Sequence, residues 1–316
     1  MKILVSGGAG FIGSHVCDAL LHAGHEVHIL DDLSGGQEAN LPTDAVFHKM
    51  DIRSGEVLSL WKREQFEVLF HLAAQMDVRK SVANPSFDAD VNIRGMLNLL
   101  EAGRDNSLRK VVFSSTGGAI YGEPDYVPQD ESHRLQPLSP YGITKLSSEK
   151  YLFFYANSYD ISFVALRYGN VYGPRQNPHG EAGVVAIFSE RLMDGEQPVI
   201  NGDGRQTRDY VFVSDVVKAN LLALKYGGIG TFNIGTGIET DVVELFTVLR
   251  DELAPETPIE HGPAKAGEQM RSVLSYTLAA SELGWQPTIS VQEGLQTTAR
   301  WFKSRREQLK ARTQAR

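Results

Sequence analysis

The run Gly7-Gly8-Ala9-Gly10-Phe11-Ile12-Gly13 separates a short apolar strand pattern, Lys2–Ser6, from a segment of helical period, Phe11–His22. Through Gly8, Gly10 and Gly13 it satisfies G-x-G-x-x-G, and through Gly7 the looser G-x-x-G-x-x-G. Each glycine has a steric purpose: one permits a tight turn, one lets the backbone approach a pyrophosphate, and one lets the helix pack close to the strand. The N-terminus of that helix then offers unpaired N–H groups and partial positive charge to phosphates. A purely structural βα turn is the bland alternative. The placement between a strand and a helix argues for a dinucleotide site instead.

The rest of the chain agrees with that beginning. Short β-branched runs at Glu26–Leu30, Val46–Lys49, Val68–Leu72, Lys110–Ser114 and Ser162–Arg167 alternate with helical stretches such as Asn92–Ala102 and Tyr141–Tyr159. This alternation predicts βαβ units and a doubly wound parallel sheet of the Rossmann type. After Asn170 the pattern degrades, punctuated by Pro174, Pro178 and Pro198 and by glycines between Asn201 and Gly204, which marks the edge of a first domain. The basic segment from Trp301 to Arg316 outruns its apolar face and is expected to be a frayed, solvated helix. Asp31 ends the second strand, about twenty residues past the glycines, where an acidic side chain grips the adenosine ribose. Its carboxylate would repel a 2'-phosphate. The following Asp32-Leu33-Ser34-Gly35-Gly36 supplies no cation to offset that, which favours NAD over NADP. Asp51-Ile52, beyond the next strand, is placed to lie beside an adenine, although an aspartate there is also a common turn former.

Two further motifs carry chemistry. Tyr141 and Lys145 open a helix after Leu138-Ser139-Pro140, and i, i+4 spacing puts the phenol and the ammonium on one face. A tyrosine with an ordinary pKa near 10 is a poor base at neutral pH, but a cation about 6 Å away contributes roughly 2–3 kcal/mol, or about two pKa units. A positively charged oxidised nicotinamide could supply much of the remainder. On its own Y-x-x-x-K usually means a solvated helix pair; its weight here comes from its company. Val111–Thr116 is an apolar strand ending in three hydroxyls, Ser114-Ser115-Thr116. The carboxyl end of a strand faces the crevice where ligands bind in open α/β sheets, so one hydroxyl could relay a substrate proton to Tyr141. Strand-end capping is the plain alternative.

Bulk properties limit the setting. The 316 residues carry a formal net charge of -8, unsuited to gripping a nucleic-acid backbone. Met1 leads directly into a strand pattern, so no signal peptide is expected, and no apolar run is long enough to span a bilayer. The single cysteine, Cys17, excludes an internal disulfide and fits a reducing compartment, so a cytoplasmic protein without nucleic-acid or membrane partners is expected. No metal site is expected.

With these motifs in hand, the chain resembles the extended short-chain dehydrogenase/reductase family, and within it the UDP-glucose 4-epimerase branch. The likeness runs nearly end to end. It includes the glycine turn, His71-Leu72-Ala73-Ala74, Asn92 in a V-N-x-x-G context, Ser114-Ser115-Thr116, and Tyr141 with Lys145. It continues through Arg167-Tyr168-Gly169-Asn170-Val171-Tyr172-Gly173-Pro174-Arg175, Arg208-Asp209-Tyr210-Val211, Asn233-Ile234-Gly235-Thr236-Gly237 and Leu283-Gly284-Trp285.

The resemblance implies an NAD-binding domain over 1–169 plus about 207–234, and a smaller C-terminal α+β nucleotide-sugar domain over about 170–206 plus 235–316. It implies that Gly7, Gly10, Phe11, Ile12, Gly13, Asp31, Asp32, Ser34, Gly36, Asp51, Ile52, Leu72, Ala73, Ala74, Gln75, Asn92, Ser114, Tyr141, Lys145 and Tyr168 hold NAD. Tyr141 would be the acid–base beside Lys145, with Thr116, or alternatively Ser115, as hydroxyl relay. Thr116, Asn170, Val184, Val199, Arg208, Tyr210, Lys265, Glu268, Arg271 and Ser272 would meet a UDP-sugar. Arginine forks and lysine point charges suit a pyrophosphate.

Relatives that dehydrate or decarboxylate carry acidic residues just after the strand hydroxyls. Here Gly117-Gly118 stand there, so an isomerase that borrows a hydride at carbon 4 and returns it is favoured over a 4,6-dehydratase, decarboxylase or reductase. A non-catalytic NAD sensor would not need both Tyr141 and Lys145. Ser272 matches a position that is bulky in strict glucose/galactose epimerases, so the resemblance implies that a small side chain there could admit an N-acetyl group on carbon 2 of the sugar, and a glucuronate analogue is also open. The aromatic run Tyr151–Tyr155 offers more apolar surface than one helix face needs, which the family likeness reads as a homodimer contact.

Overall fold

All six expected runs become strands of one parallel sheet, with boundaries within two residues of those expected. The computed structural model describes residues 1–179, 183–264 and 269–314. In chain order the first part comprises β1 (Lys2–Ser6), α1 (Phe11–His22), β2 (Glu26–Asp31), β3 (Val46–Lys49), α2 (Glu56–Glu64), β4 (Val68–His71), α3 (Val78–Ala83), α4 (Pro85–Ala89), α5 (Gly95–Arg104), β5 (Lys110–Thr116), α6 (Gly117–Ile120), α7 (Pro140–Tyr159) and β6 (Ser162–Tyr168). The helix expected from Asn92 instead starts as a wide π turn at Asp90–Arg94 and tightens into α5.

The second part comprises β7 (Asn170–Tyr172), α8 (Val184–Asp194), β8 (Val199–Asn201), β9 (Thr207–Arg208), β10 (Tyr210–Phe212), α9 (Val213–Lys225), β11 (Gly230–Ile234), β12 (Thr240–Asp241), α10 (Val242–Leu253), β13 (Glu260–Gly262), β14 (Arg271–Ser272) and α11 (Val291–Gln314). β11 returns to the large sheet and pairs with β6, a strand that the sequence pattern does not disclose.

The seven strands lie in the order β11-β6-β5-β4-β1-β2-β3. The chain starts in the middle and winds outwards both ways, so the order reverses between β1 and β4. In such sheets the crevice outside the carboxyl ends at the reversal is where ligands bind. One face is covered by α1 and α9, with Val16, Leu20, Val216 and Ala219 buried against Val5, Ile29 and Phe70. The other face packs under α2, α5 and α7 through Val57, Trp61, Leu99 and Leu152. Strands buried on both faces explain why these runs read as continuous apolar stretches rather than alternating ones.

A third buried cluster joins α8, α10 and α11 through Phe188, Leu192, Leu245, Phe246 and Leu295. Asp209, buried between β9 and β10, ties this region to the sheet by accepting hydrogen bonds from the backbone of Thr236, Gly237 and Leu274 at 2.6–3.1 Å. The C-terminal segment is more anchored than its composition suggests. Phe302 is buried, Arg306 pairs with Asp194, and Arg305 donates to Gln37 Oε1 at 2.9 Å.

Candidate active site

The glycine turn sits at the sheet's reversal. Gly7 has a φ of +77°, which a side chain rarely adopts, and a Cβ there would lie 2.5 Å from the Ala73 nitrogen. A Cβ on Gly13 would lie 2.1 Å from the Gly7 carbonyl oxygen, so only glycine lets α1 approach the turn this closely. The cleft that opens above has a volume of about 450 Å³. Among the expected cofactor residues it is lined by Gly7, Gly10, Phe11, Ile12, Gly13, Asp31, Asp32, Ser34, Gly36, Asp51, Ile52, Leu72, Ala73, Ala74, Gln75, Ser114, Tyr141 and Lys145. Glycine backbone at a helix N-terminus, an acid at the end of β2 and an apolar floor form a donor set that fits a dinucleotide.

Asp31 braces the glycine turn. Its carboxylate accepts the Ala9 N–H at 3.0 Å and the Leu33 N–H at 2.8 Å, fastening the turn to the loop after β2, and burial pushes its carboxyl up. Each oxygen keeps a further lone pair for a ribose hydroxyl. Asp51 lies two residues beyond β3 with Arg53 folded onto it, and this guanidinium holds its carboxyl below the usual carboxylate range.

Asn92 and Tyr168 are not among the residues lining the cleft. Asn92 is buried in the π turn and grips the Gln75 backbone from both sides: Oδ1 accepts the Gln75 N–H at 2.8 Å, and Nδ2 donates to the Gln75 carbonyl at 2.9 Å. It shapes the wall from behind. Tyr168 is buried at the end of β6, where Asn220 donates to its hydroxyl at 2.8 Å.

Ser139 caps α7 by accepting the Gly142 N–H at 3.2 Å, and Pro140 fills the first turn, where its missing N–H does no harm. That start fixes the direction of Tyr141 and, one turn on, Lys145. The Lys145 ammonium is 5.9 Å from the Tyr141 ring centroid and 4.8 Å above the Phe113 ring, and it donates to the Ser114 carbonyl at 2.7 Å. Its burial pushes it down to about 8 against the opposing pull of the Asp88 and Glu149 carboxylates.

Side chains alternate along β5. Ser114 faces the cleft, whereas Ser115 is buried and donates to Glu149 Oε1 at 2.6 Å. Glu149 in turn holds Arg167 through two contacts of 2.7 and 3.0 Å. Thr116 ends the strand, and its hydroxyl makes no capping bond to α6. Gly117 packs so tightly on Leu274 that a Cβ would lie 2.3 Å from its side chain; one on Gly118 would lie 3.5 Å from Asn170 Oδ1.

The expected sugar-side residues come from several short strands. Asn170 and Tyr210 are register partners in the β7–β10 pair. Ser272 is buried opposite Arg208 in the β9–β14 pair, and Arg271 pairs with Glu239 at 2.7 Å. The Arg271 guanidinium holds Glu239 down to about 2. Val184 begins α8 and Val199 begins β8. Lys265 and Glu268 lie outside the described residues.

Four side chains at or behind the cleft escape a motif reading: Arg53, Asp88, Glu149 and the aromatic Phe87, over which Arg53 stacks at 5.5 Å. Helical spacing carried a signal for two of them. Asp88 stands four residues before Asn92, and Glu149 four after Lys145, so each shares a face with a residue already singled out.

A glycine turn at the reversal of a parallel sheet, with a tyrosine and a buried lysine on the adjoining helix, defines a dinucleotide-dependent enzyme of the short-chain dehydrogenase/reductase class. The chain belongs to the NAD dependent epimerase/dehydratase family, whose model matches residues 3–235. A protein of Mycolicibacterium smegmatis named UDP-glucose 4-epimerase is 46% identical over 312 residues, spanning 96% of this chain and 99% of its own length. The structure of a UDP-glucose 4-epimerase from Thermotoga maritima with UDP-glucose is similar with a TM-score of 0.94 at 48% identity, covering 96% of this chain and 99% of that one. A UDP-glucose 4-epimerase from Thermus thermophilus in complex with NAD has a TM-score of 0.90 at 43% identity, with 96% and 99% covered.

Proposed function

We propose that this protein is an NAD-dependent 4-epimerase of a UDP-sugar, UDP-glucose and UDP-galactose foremost, working through a 4-keto intermediate. The observation that carries this reading is the Tyr141–Lys145 pair in the glycine-turn cleft, beside a strand end with hydroxyls but no acid at 117 and 118. Bound NAD would supply a hydride acceptor and donor for a single sugar carbon.

The chain's own groups manage the proton. Tyr141 takes it from the 4-hydroxyl and gives one back at the end of the cycle, with the Lys145 ammonium favouring the phenolate that begins and ends the cycle. Ser115 donates to Glu149, which favours Thr116 over it as the bridging hydroxyl. Asn170, Arg208, Tyr210 and Arg271, with Lys265 and Glu268, would grip the nucleotide, while Val184, Val199 and Ser272 border the sugar. Strong nucleotide binding and a loosely held sugar suit a reaction in which the ring must turn over. Glycines at 117 and 118 provide no acid for eliminating water or carbon dioxide, which disfavours a dehydratase or decarboxylase.

The small, buried Ser272 favours acceptance of an N-acetylated sugar. Exposed Tyr151, Phe153 and Phe154 on α7 support a homodimer, and the single, buried Cys17 supports a cytoplasmic setting. Purified protein incubated with UDP-glucose, UDP-N-acetylglucosamine or UDP-glucuronate, with the epimers then resolved, tests the reading. Epimers of unchanged mass without added cofactor are expected. A dehydrated or decarboxylated product, or no product from any of the three, would overturn it.

A further inference from the structure

The loop that follows β2 forms one wall of the cofactor cleft through Asp32, Ser34, Gly35 and Gly36. It passes close over the glycine turn: a Cβ on Gly36 would lie 2.8 Å from the Ala9 side chain and 2.9 Å from Asp31 Oδ1. Among the described residues Gly35 and Gly36 have no hydrogen-bond partner, and Ser34 bonds only to Asp32 beside it. A stretch with so few bonds of its own is held by its ends. The near end is Asp31, which accepts the Leu33 N–H at 2.8 Å. The far end meets the glycine turn at one point, the Ala9 carbonyl, which accepts the Gln37 N–H at 3.0 Å and Asn40 Nδ2 at 3.1 Å.

α11 reaches that far end from the other side of the molecule. Leu295 and Ala299 bury the helix in the cluster with α8 and α10, and Arg306 pairs with Asp194 at the end of α8 at 2.5 Å. Arg305, one residue earlier, lies 5.0 Å over the Trp301 ring, its neighbour one helical turn back, and donates to Gln37 Oε1 at 2.9 Å. Two other arginines of this helix, Arg300 and Arg306, are paired with carboxylates, Glu252 and Asp194. Among the described residues Arg305 has no carboxylate partner; its guanidinium is committed to a neutral amide on the cofactor loop. Stacking on an aromatic face holds the planar fork ready for that bond.

We propose that Arg305 is a positioning residue for the cofactor: from the C-terminal helix it clamps Gln37, holds the loop after β2 against the glycine turn, and slows the release of NAD. The inference goes beyond the epimerase reading, because it concerns how long NAD stays and not what happens to the sugar. It gives a task to the part of α11 that outruns its apolar face. An enzyme that returns its hydride to the sugar it came from gains from a cofactor that does not leave between cycles.

Release of NAD reads the clamp directly. Purified protein loaded with radiolabelled NAD is chased with excess unlabelled NAD, and the label retained is followed by rapid gel filtration. Arg305→Ala is expected to release NAD about three- to tenfold faster than the parent, the loss of one hydrogen bond. Gln37→Ala keeps the backbone bond to Ala9, removes the same clamp from the other side, and is expected to give a similar factor. The double variant should then be no faster than the faster single one, because both changes remove one contact. Arg300→Ala, on the same helix but paired with Glu252 of α10, is expected to release NAD at the parent's rate.

An Arg305→Ala protein with the parent's release rate overturns the proposal. So does an equal acceleration in Arg300→Ala, which is what a general loosening of the helix gives, or a double variant whose factor is the product of the two single ones. Should Arg305→Ala not fold, Gln37→Ala reads the contact alone, and a parent-like rate there is equally fatal. If the clamp variants release NAD faster but the parent does not epimerise UDP-glucose, the clamp stands and the proposed activity falls; if the parent epimerises and the variants hold NAD as long as it does, the reverse holds.

Discussion

Replacing Glu149 by Gln removes one half of the ion pair that joins α7 to β6 just behind the strand hydroxyls. Glu149 and Arg167 are each 5% exposed at the side chain and meet through contacts of 2.7 and 3.0 Å. After the change Arg167 keeps the Tyr121 hydroxyl at 2.9 Å, a neutral partner, and no counter-ion in its hydrogen-bond set. Leaving a buried charge uncompensated in this way costs about 3–5 kcal/mol. With an unfolding entropy of about 2.1 cal/mol/K per residue, a chain of 316 residues has roughly 0.66 kcal/mol/K. The loss therefore lowers the thermal midpoint by about 5–8 °C. Scanning calorimetry at pH 7 with a fixed, saturating NAD concentration measures it, because bound cofactor would otherwise shift the midpoint by mass action. Glu149→Leu combined with Arg167→Leu removes both charges and should lose less than the sum of the single changes. A single variant within 1 °C of the parent, or a double variant worse than that sum, would refute the reasoning.

The other expectations concern the cofactor cleft and the sheet beneath it. Gly13→Ala puts a methyl 2.1 Å from the Gly7 carbonyl and must push α1 off the turn, so protein purified from cells should carry at least about tenfold less NAD than the parent; equal NAD content contradicts this. His71, neutral in the fold with its proton affinity pushed down to about 3, regains an ordinary value near 6.5 on unfolding. The unfolded chain then binds the extra proton as pH drops below 6.5, so stability falls, by roughly 1.5 kcal/mol between pH 6.5 and 5. Urea midpoints across that range should show the fall, and His71→Asn should flatten it; an unchanged slope in the variant counts against the assignment.

Local pattern made much of this molecule legible. β1 stands where its apolar run puts it, because a strand buried on both faces leaves an uninterrupted apolar stretch, and α1 where its helical period does; β3, a half-exposed edge strand, also keeps its expected bounds. Tyr141 and Lys145 could be read as a pair because one helical turn is a property of spacing alone. What escaped depends on partners far apart in the chain. Thr144 meets Asp88 over 56 residues and Arg305 meets Gln37 over 268, distances at which periodicity carries no information. The frayed helix expected beyond Trp301 is docked as far as Arg306 for this reason. β11, Gly-Thr-Phe-Asn-Ile, is short and mixed in polarity, and its place beside β6 follows from the sheet rather than from its own composition. Ser115 and Thr116 were indistinguishable in sequence, and only the register of β5 turns one toward Glu149.

Tyr141→Phe, supplied with UDP-glucose and compared with the parent for both turnover and bound NAD, tests most directly whether a single phenol moves the sugar's proton. The parent is expected to interconvert UDP-glucose and UDP-galactose with no net change in NAD, and the variant to keep its NAD while losing turnover by at least about a hundredfold. A phenylalanine variant that epimerises at the parent's rate would contradict the account.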